Sequence, residues 1–152
     1  MKQIPRRIWR IRDVVPSALL LGLSLLTALV MQVRADNRSV RDGVYAEAQA
    51  RRGQAVYLEE CSRCHSEGLS GGENSPALAG DAFLEKWDGK TVDELFEVIR
   101  TTMPADSPGR LSRQQYVDIV AFMFEVNKFP AGKGELERDS AHLRDIIINA
   151  KR

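Results

Sequence analysis

Both cysteines of this 152-residue chain lie in one pentad, Cys61-Ser62-Arg63-Cys64-His65. A disulfide between them would close a loop with only two intervening residues and would add little stability. Positions three apart are neighbours on one face of a helix, so both thiols lie together and an imidazole follows directly. The pentad therefore predicts a chemical use for the two thiols.

Three uses of this pentad can be compared. In covalent haem attachment, Cys61 and Cys64 each add to one vinyl group and His65 binds the iron from the same side. A redox-active thiol pair would begin a helix within a strand–helix–strand pattern, which the sequence lacks. A structural zinc site needs four ligands, and the only other histidine, His142, lies far away in a polar tail. We predict one haem c, attached through Cys61 and Cys64.

A haem iron bound by His65 needs a second axial ligand for electron transfer, or an open face for gas binding or catalysis. Two methionines lie beyond the first 35 residues, Met103 and Met123. Met123 belongs to an apolar helical repeat, which favours packing in a core. Met103 precedes Pro104, which disfavours helical geometry at Met103 and favours an extended loop. We therefore predict His65 and Met103 as the iron ligands.

Apolar residues recur at helical spacing in three stretches, and no strand pattern lies between them. The first helix is predicted over about residues 44–61, where it ends at the pentad. The second and third helices begin at capping boxes, Thr91 with Glu94 and Ser112 with Gln115. These stretches predict an all-α domain.

Two further features concern packing around the cofactor. Gly53 interrupts the first helix at a cost of about 1 kcal/mol relative to alanine, so either another backbone approaches it closely or the cost is tolerated. Residues 66–81 are rich in Gly, Ser, Asn and Pro and are typical of a loop. Such separate pieces predict a small core of their own, with haem as the apolar centre around which they close.

The first 35 residues have the pattern of a secretory signal. Residues 1–12 are rich in Lys and Arg, and residues 16–33 carry no charge. Small residues end the stretch at Ala35, so the mature chain is expected to begin at Asp36 in the periplasm. The alternative is an uncleaved membrane anchor over residues 14–33.

The net charge of the chain without its first 35 residues indicates which kinds of partner to expect. Residues 1–35 hold six of the 22 basic residues and one of the 21 acidic ones. Without them the chain has 16 basic and 20 acidic residues, a net charge of −4. Nucleic acid is therefore not an expected partner, and a protein partner is expected to present positive charge.

The segment from Gly53 to about Asn127 resembles a class I c-type cytochrome domain. Its landmarks follow the family's order: Gly53, Tyr57, the pentad, Ser75 to Gly80, and Met103-Pro104. The resemblance implies a small cytochrome c fold, with three main helices and loops around one haem. It divides the chain into a leader over 1–35, a cytochrome c domain over 36–130 and a tail over 131–152 that packs on the domain or extends from it.

The same resemblance implies roles for three further residues. The carbonyl of Pro76 would accept a hydrogen bond from the distal ring nitrogen of His65, unless Pro76 is an ordinary turn proline. Leu78 would pack on the haem. Trp87 would donate its indole hydrogen to a haem propionate, or it belongs to the core.

These patterns predict a periplasmic electron carrier with no catalytic residues. The tail is similar to tails on cytochromes that serve quinoprotein dehydrogenases, or it is a strap that covers the domain. Expected partners are a dehydrogenase donor and an oxidase or other cytochrome acceptor, and the chain is either a separate carrier or the electron-accepting subunit of a dehydrogenase. The alternatives are a haem enzyme or gas sensor with an open sixth position, and a structural haem module of a membrane complex.

Overall fold

The computed structural model describes residues 38–150, and the predicted leader lies outside them. None of the helices in that range is long and apolar enough to cross a membrane. The helices are α1 Glu47–Glu60, α2 Ser62–His65, α3 Asp81–Trp87, α4 Val92–Thr102, α5 Arg113–Val126 and α6 Ser140–Arg144, with a 3-10 turn at Val40–Asp42. Two short strands, β1 Arg38–Ser39 and β2 Ile146–Ile147, pair in parallel. The prediction of an all-α fold is confirmed.

The longest helices, α1 and α5, pack against each other. A Cβ added to Gly53 would overlap the backbone carbonyl of Asp118 and would lie 2.9 Å from the nitrogen of Ile119. Glycine therefore allows the two helices to approach at this point. The prediction that another backbone lies close to Gly53 is confirmed.

Local sequence determines where α4 and α5 begin. The hydroxyl oxygen of Thr91 accepts from the backbone N–H of Glu94, whose carboxylate accepts from the N–H of Thr91. Ser112 and Gln115 make the same reciprocal pair at the start of α5. Both predicted capping boxes are confirmed.

The core is larger than the sequence predicts. One continuous cluster of buried apolar side chains includes Leu136, Leu143, Ile146 and Ile148, all from the tail. The tail thus folds back and adds apolar surface that the prediction of a small core formed by the helices did not include.

Candidate haem-binding site

A cavity of about 380 Å³ lies among the ends of α1, α3 and α4, the face of α5 and the loop before α3. This volume is within the usual range for sites that bind cofactors. All seven predicted site residues line it: Cys61, Cys64, His65, Pro76, Leu78, Trp87 and Met103. The fold thus brings together residues that span more than forty positions of the sequence.

The pentad forms a bend between two helices. Cys61 ends α1, where its N–H donates to the carbonyl of Tyr57 at 2.9 Å, and its own carbonyl accepts from the N–H of His65 at 3.0 Å. Cys61 is half-buried, Cys64 is exposed, and both thiols are free. Burial, followed by the nearby Cys64, raises the pKa of Cys61 to about 11. A redox-active thiol pair needs the opposite shift, since the thiolate is the reactive form.

The imidazole of His65 is held by the loop that follows the pentad. His65 is buried, and its Nδ1 lies 2.9 Å from the carbonyl oxygen of Pro76. A carbonyl only accepts, so the proton of the neutral ring is on Nδ1 and the lone pair of Nε2 is left for a metal. The structure contains the hydrogen bond that the resemblance implied.

Met103 follows α4 in the extended conformation that the sequence predicts, with φ −125° and ψ 152°. Its side chain is half-buried at the cavity wall. Met123 is fully buried in the core, as predicted, and it also lines the cavity. The periodic pattern of its helix indicated the core but not the cavity, because both lie on the same face of α5.

Leu78 and Trp87 lie on the cavity wall in different settings. Leu78 is half-buried, and its N–H donates to the carbonyl of Leu69 at 2.8 Å. Trp87 ends α3, belongs to the core, and has the ammonium of Lys86 5.3 Å from its ring centroid. Trp87 is thus a core residue that also lines the cavity, and its bond to a propionate stays a prediction.

Each of the two acidic residues at the cavity lies near an arginine. Glu60 forms an ion pair with Arg110, and Arg63 lies 3.8 Å from Asp106. Both acidic side chains that line the cavity are therefore compensated. Sequence reasoning missed these pairs because no periodic pattern connects a residue of α1 or α2 with one more than forty positions later.

The residues of the cavity fit a covalently bound haem. Two thiols for thioether bonds, an imidazole nitrogen with a free lone pair and a thioether sulfur line one largely apolar space. This donor set matches His/Met ligation of haem iron.

Comparison with protein-family models agrees with this fit. A family model described as cytochrome c oxidase, cbb3-type, subunit III, matches residues 48–123, half of the chain. No curated protein matches. Among solved structures, a chain of the sulfane dehydrogenase SoxCD from Paracoccus pantotrophus is similar, with 21% identity and a TM-score of 0.46. The match covers 74% of this chain and 61% of that one.

The family match includes the pentad and Met103, the residues around which the cavity is built. Family membership, the all-α fold and the donor set thus point to one class of protein. The chain belongs to the family of cytochrome c oxidase, cbb3-type, subunit III, as a class I c-type cytochrome domain for haem-based electron transfer.

Proposed function

We propose that this protein is an exported mono-haem carrier that passes single electrons between partner proteins. Cys61 and Cys64 would hold the haem covalently, and His65 and Met103 would bind its iron. The observation that carries the proposal is that one cavity is lined by both thiols, the imidazole and the thioether.

The chain's own residues prepare the two proposed iron ligands differently. The Pro76 carbonyl keeps the His65 ring in one tautomer and one orientation, so its Nε2 is available without rearrangement. Met103 contributes a neutral sulfur from an extended loop. When bound, the haem supplies one-electron chemistry through its ferrous and ferric states. A thioether ligand and an apolar pocket both favour the reduced state, which suits an acceptor of electrons from a dehydrogenase.

Export and partners are part of the proposal. The leader pattern supports export to the periplasm with cleavage after Ala35, and an uncleaved leader would anchor the domain at the membrane. The net charge of −4 after cleavage supports a partner with a basic surface. We propose a dehydrogenase as donor and an oxidase or other cytochrome as acceptor, in keeping with a family description that names an oxidase subunit.

The proposal is tested by the absorption spectrum of the oxidised, haem-loaded protein. The weak sulfur-to-iron charge-transfer band should be present in the wild type and absent from Met103→Ala. Met123→Leu is the matched control, because it removes the other cavity-lining sulfur at nearly constant volume and should keep the band.

Two outcomes would contradict the assignment. Absence of the band from the wild type would exclude Met103 as ligand and favour an enzyme or sensor with an open sixth position. Loss of the band in Met123→Leu alone would transfer the ligand role to α5.

A further inference from the structure

The first turn of α5 holds the backbone of Met103. Tyr116 is buried, and its phenol donates to the carbonyl of Met103 at 2.7 Å. The ring of Phe96 packs edge-on against the Tyr116 ring, with centroids 6.5 Å apart and planes at 88°. The same Met103 carbonyl also accepts a longer hydrogen bond, 3.3 Å, from the N–H of Gly109. The phenol is therefore the shorter of the two hydrogen bonds to this carbonyl.

The other end of α5 holds the loop on the His65 side. The side-chain amide of Asn127 donates to the carbonyl of Leu78 at 3.0 Å, and its oxygen accepts from the N–H of Gly80 at 3.0 Å. The amide also donates to the carbonyl of Met123, one turn back in α5, at 2.8 Å. One side chain thus joins the end of α5 to a loop 47 to 49 positions earlier in the chain.

We propose that Tyr116 and Asn127 are positioning residues for the two axial ligands, one at each end of α5. Tyr116 acts through the Met103 backbone. Asn127 acts through the loop whose Pro76 carbonyl accepts the hydrogen bond from the Nδ1–H of His65. The proposal rests on the proposed function, because it takes His65 and Met103 as the ligands.

Ordinary structural roles do not account for these contacts. A phenyl ring would fill the space of the Tyr116 ring without a buried hydroxyl, which requires a partner. An asparagine that only ended the helix would need its bond to the Met123 carbonyl and neither of the two bonds to the distant loop. In both cases the additional bonds go to backbone beside a ligand-bearing segment.

The Tyr116 half of the proposal is tested by titrating the oxidised protein with imidazole, which competes with Met103 for the iron. Tyr116→Phe should raise the affinity for imidazole by about three- to tenfold, the range expected for one lost hydrogen bond. Tyr45→Phe is the matched control, since Tyr45 is equally buried, donates to the Phe129 carbonyl at 2.8 Å and does not line the cavity. It should leave the affinity unchanged.

The results that would refute this half of the proposal differ from those that would refute the proposed function. A wild type without the charge-transfer band would refute Met103 ligation itself. A wild type with the band, together with equal imidazole affinities in Tyr116→Phe and Tyr45→Phe, would refute the positioning role alone.

The Asn127 half is tested by proton NMR of the reduced protein. Asn127→Ala should speed solvent exchange of the His65 Nδ1 proton by about threefold or more, because the Pro76 loop opens more often. Asn149→Ala, which removes an exposed amide bonded to Ser39, should not. Faster exchange at the Gly80 amide with an unchanged His65 proton would overturn this half, since the loop would then move without affecting the ligand.

Discussion

The pair of helices α1 and α5 has two faces that are built differently. Toward the cavity, α1 ends in the cysteine pentad, and α5 presents Ile119 and Met123. Near the start of α1, at what we call the tail face, the tail is fixed by polar contacts: the side-chain amide of Gln49 both donates to and accepts from the backbone of Leu136, at 2.9 and 2.7 Å.

The cavity face and the tail face differ in the chemical groups that they carry and in how far apart in the sequence their contacting residues lie. The groups that can bind a cofactor lie on the cavity face, and each belongs to a short sequence pattern, the pentad or Met103-Pro104. The tail face joins residues 83 to 87 positions apart and brings no metal-ligating group to the cavity. Substitutions on the cavity face are therefore expected to change haem binding, and substitutions on the tail face are expected to change stability alone.

The largest effect is expected on the cavity face, from the double substitution Cys61→Ser and Cys64→Ser. Without either thiol no thioether bond can form, so the haem should separate completely from the denatured chain. Mass spectrometry under denaturing conditions measures this directly. Ser62→Ala is the control, since Ser62 lies between the two cysteines. In the described part of the chain its hydroxyl donates only to the Leu58 carbonyl. A double variant that keeps its haem after denaturation would refute covalent attachment through this pair.

A smaller effect, on stability alone, is expected on the tail face. Gln49→Leu keeps the size of a fully buried side chain but leaves the N–H and carbonyl of Leu136 without their partner. Two unpaired buried groups should cost about 2–4 kcal/mol of unfolding free energy, measured by urea denaturation. The exposed Gln54 of the same helix provides the control, Gln54→Leu, which should change little. Loss of the charge-transfer band in Gln49→Leu would show that the two faces are not separable.

The same difference between the cavity face and the tail face explains which features the sequence predicts and which it does not. The pentad, both capping boxes and the break at Met103-Pro104 are short patterns, and each was found where it was expected. The pattern around Tyr116 indicates a core position, but the partner of its hydroxyl depends on where the fold places Met103.

The contacts of the tail are even less predictable from the sequence. Pairing of β1 with β2 joins Arg38 to Ile146, and no periodicity in either segment specifies the other. Helix α3 was also not predicted. It has seven residues and no side-chain cap, and it begins after Gly80, whose φ is positive at +79°. Short elements of this kind are stabilised by tertiary packing rather than by local propensity.

The smallest effect concerns an ion pair on the tail face. Arg52 donates to both carboxylate oxygens of Glu135, at 2.9 and 2.8 Å, and this bond holds the pKa of Glu135 below its ordinary value. A depressed pKa stabilises the fold above the unfolded value of about 4.3 and loses that contribution as the pH falls through the folded value. Because about half of each side chain is exposed, the pair should contribute only a few tenths of a kcal/mol.

Glu135→Gln should accordingly lower the unfolding free energy slightly at pH 7, and by less at a pH below the folded pKa of Glu135, where the wild-type carboxylate is neutral like the glutamine. Urea denaturation at both pH values measures the difference, with Glu85→Gln on the exposed surface of α3 as control. High salt should remove the effect at pH 7, since exposed charges are screened. A loss at pH 7 as large as that of Gln49→Leu would mean that ion pairs, and not buried hydrogen bonds, fix the tail to α1.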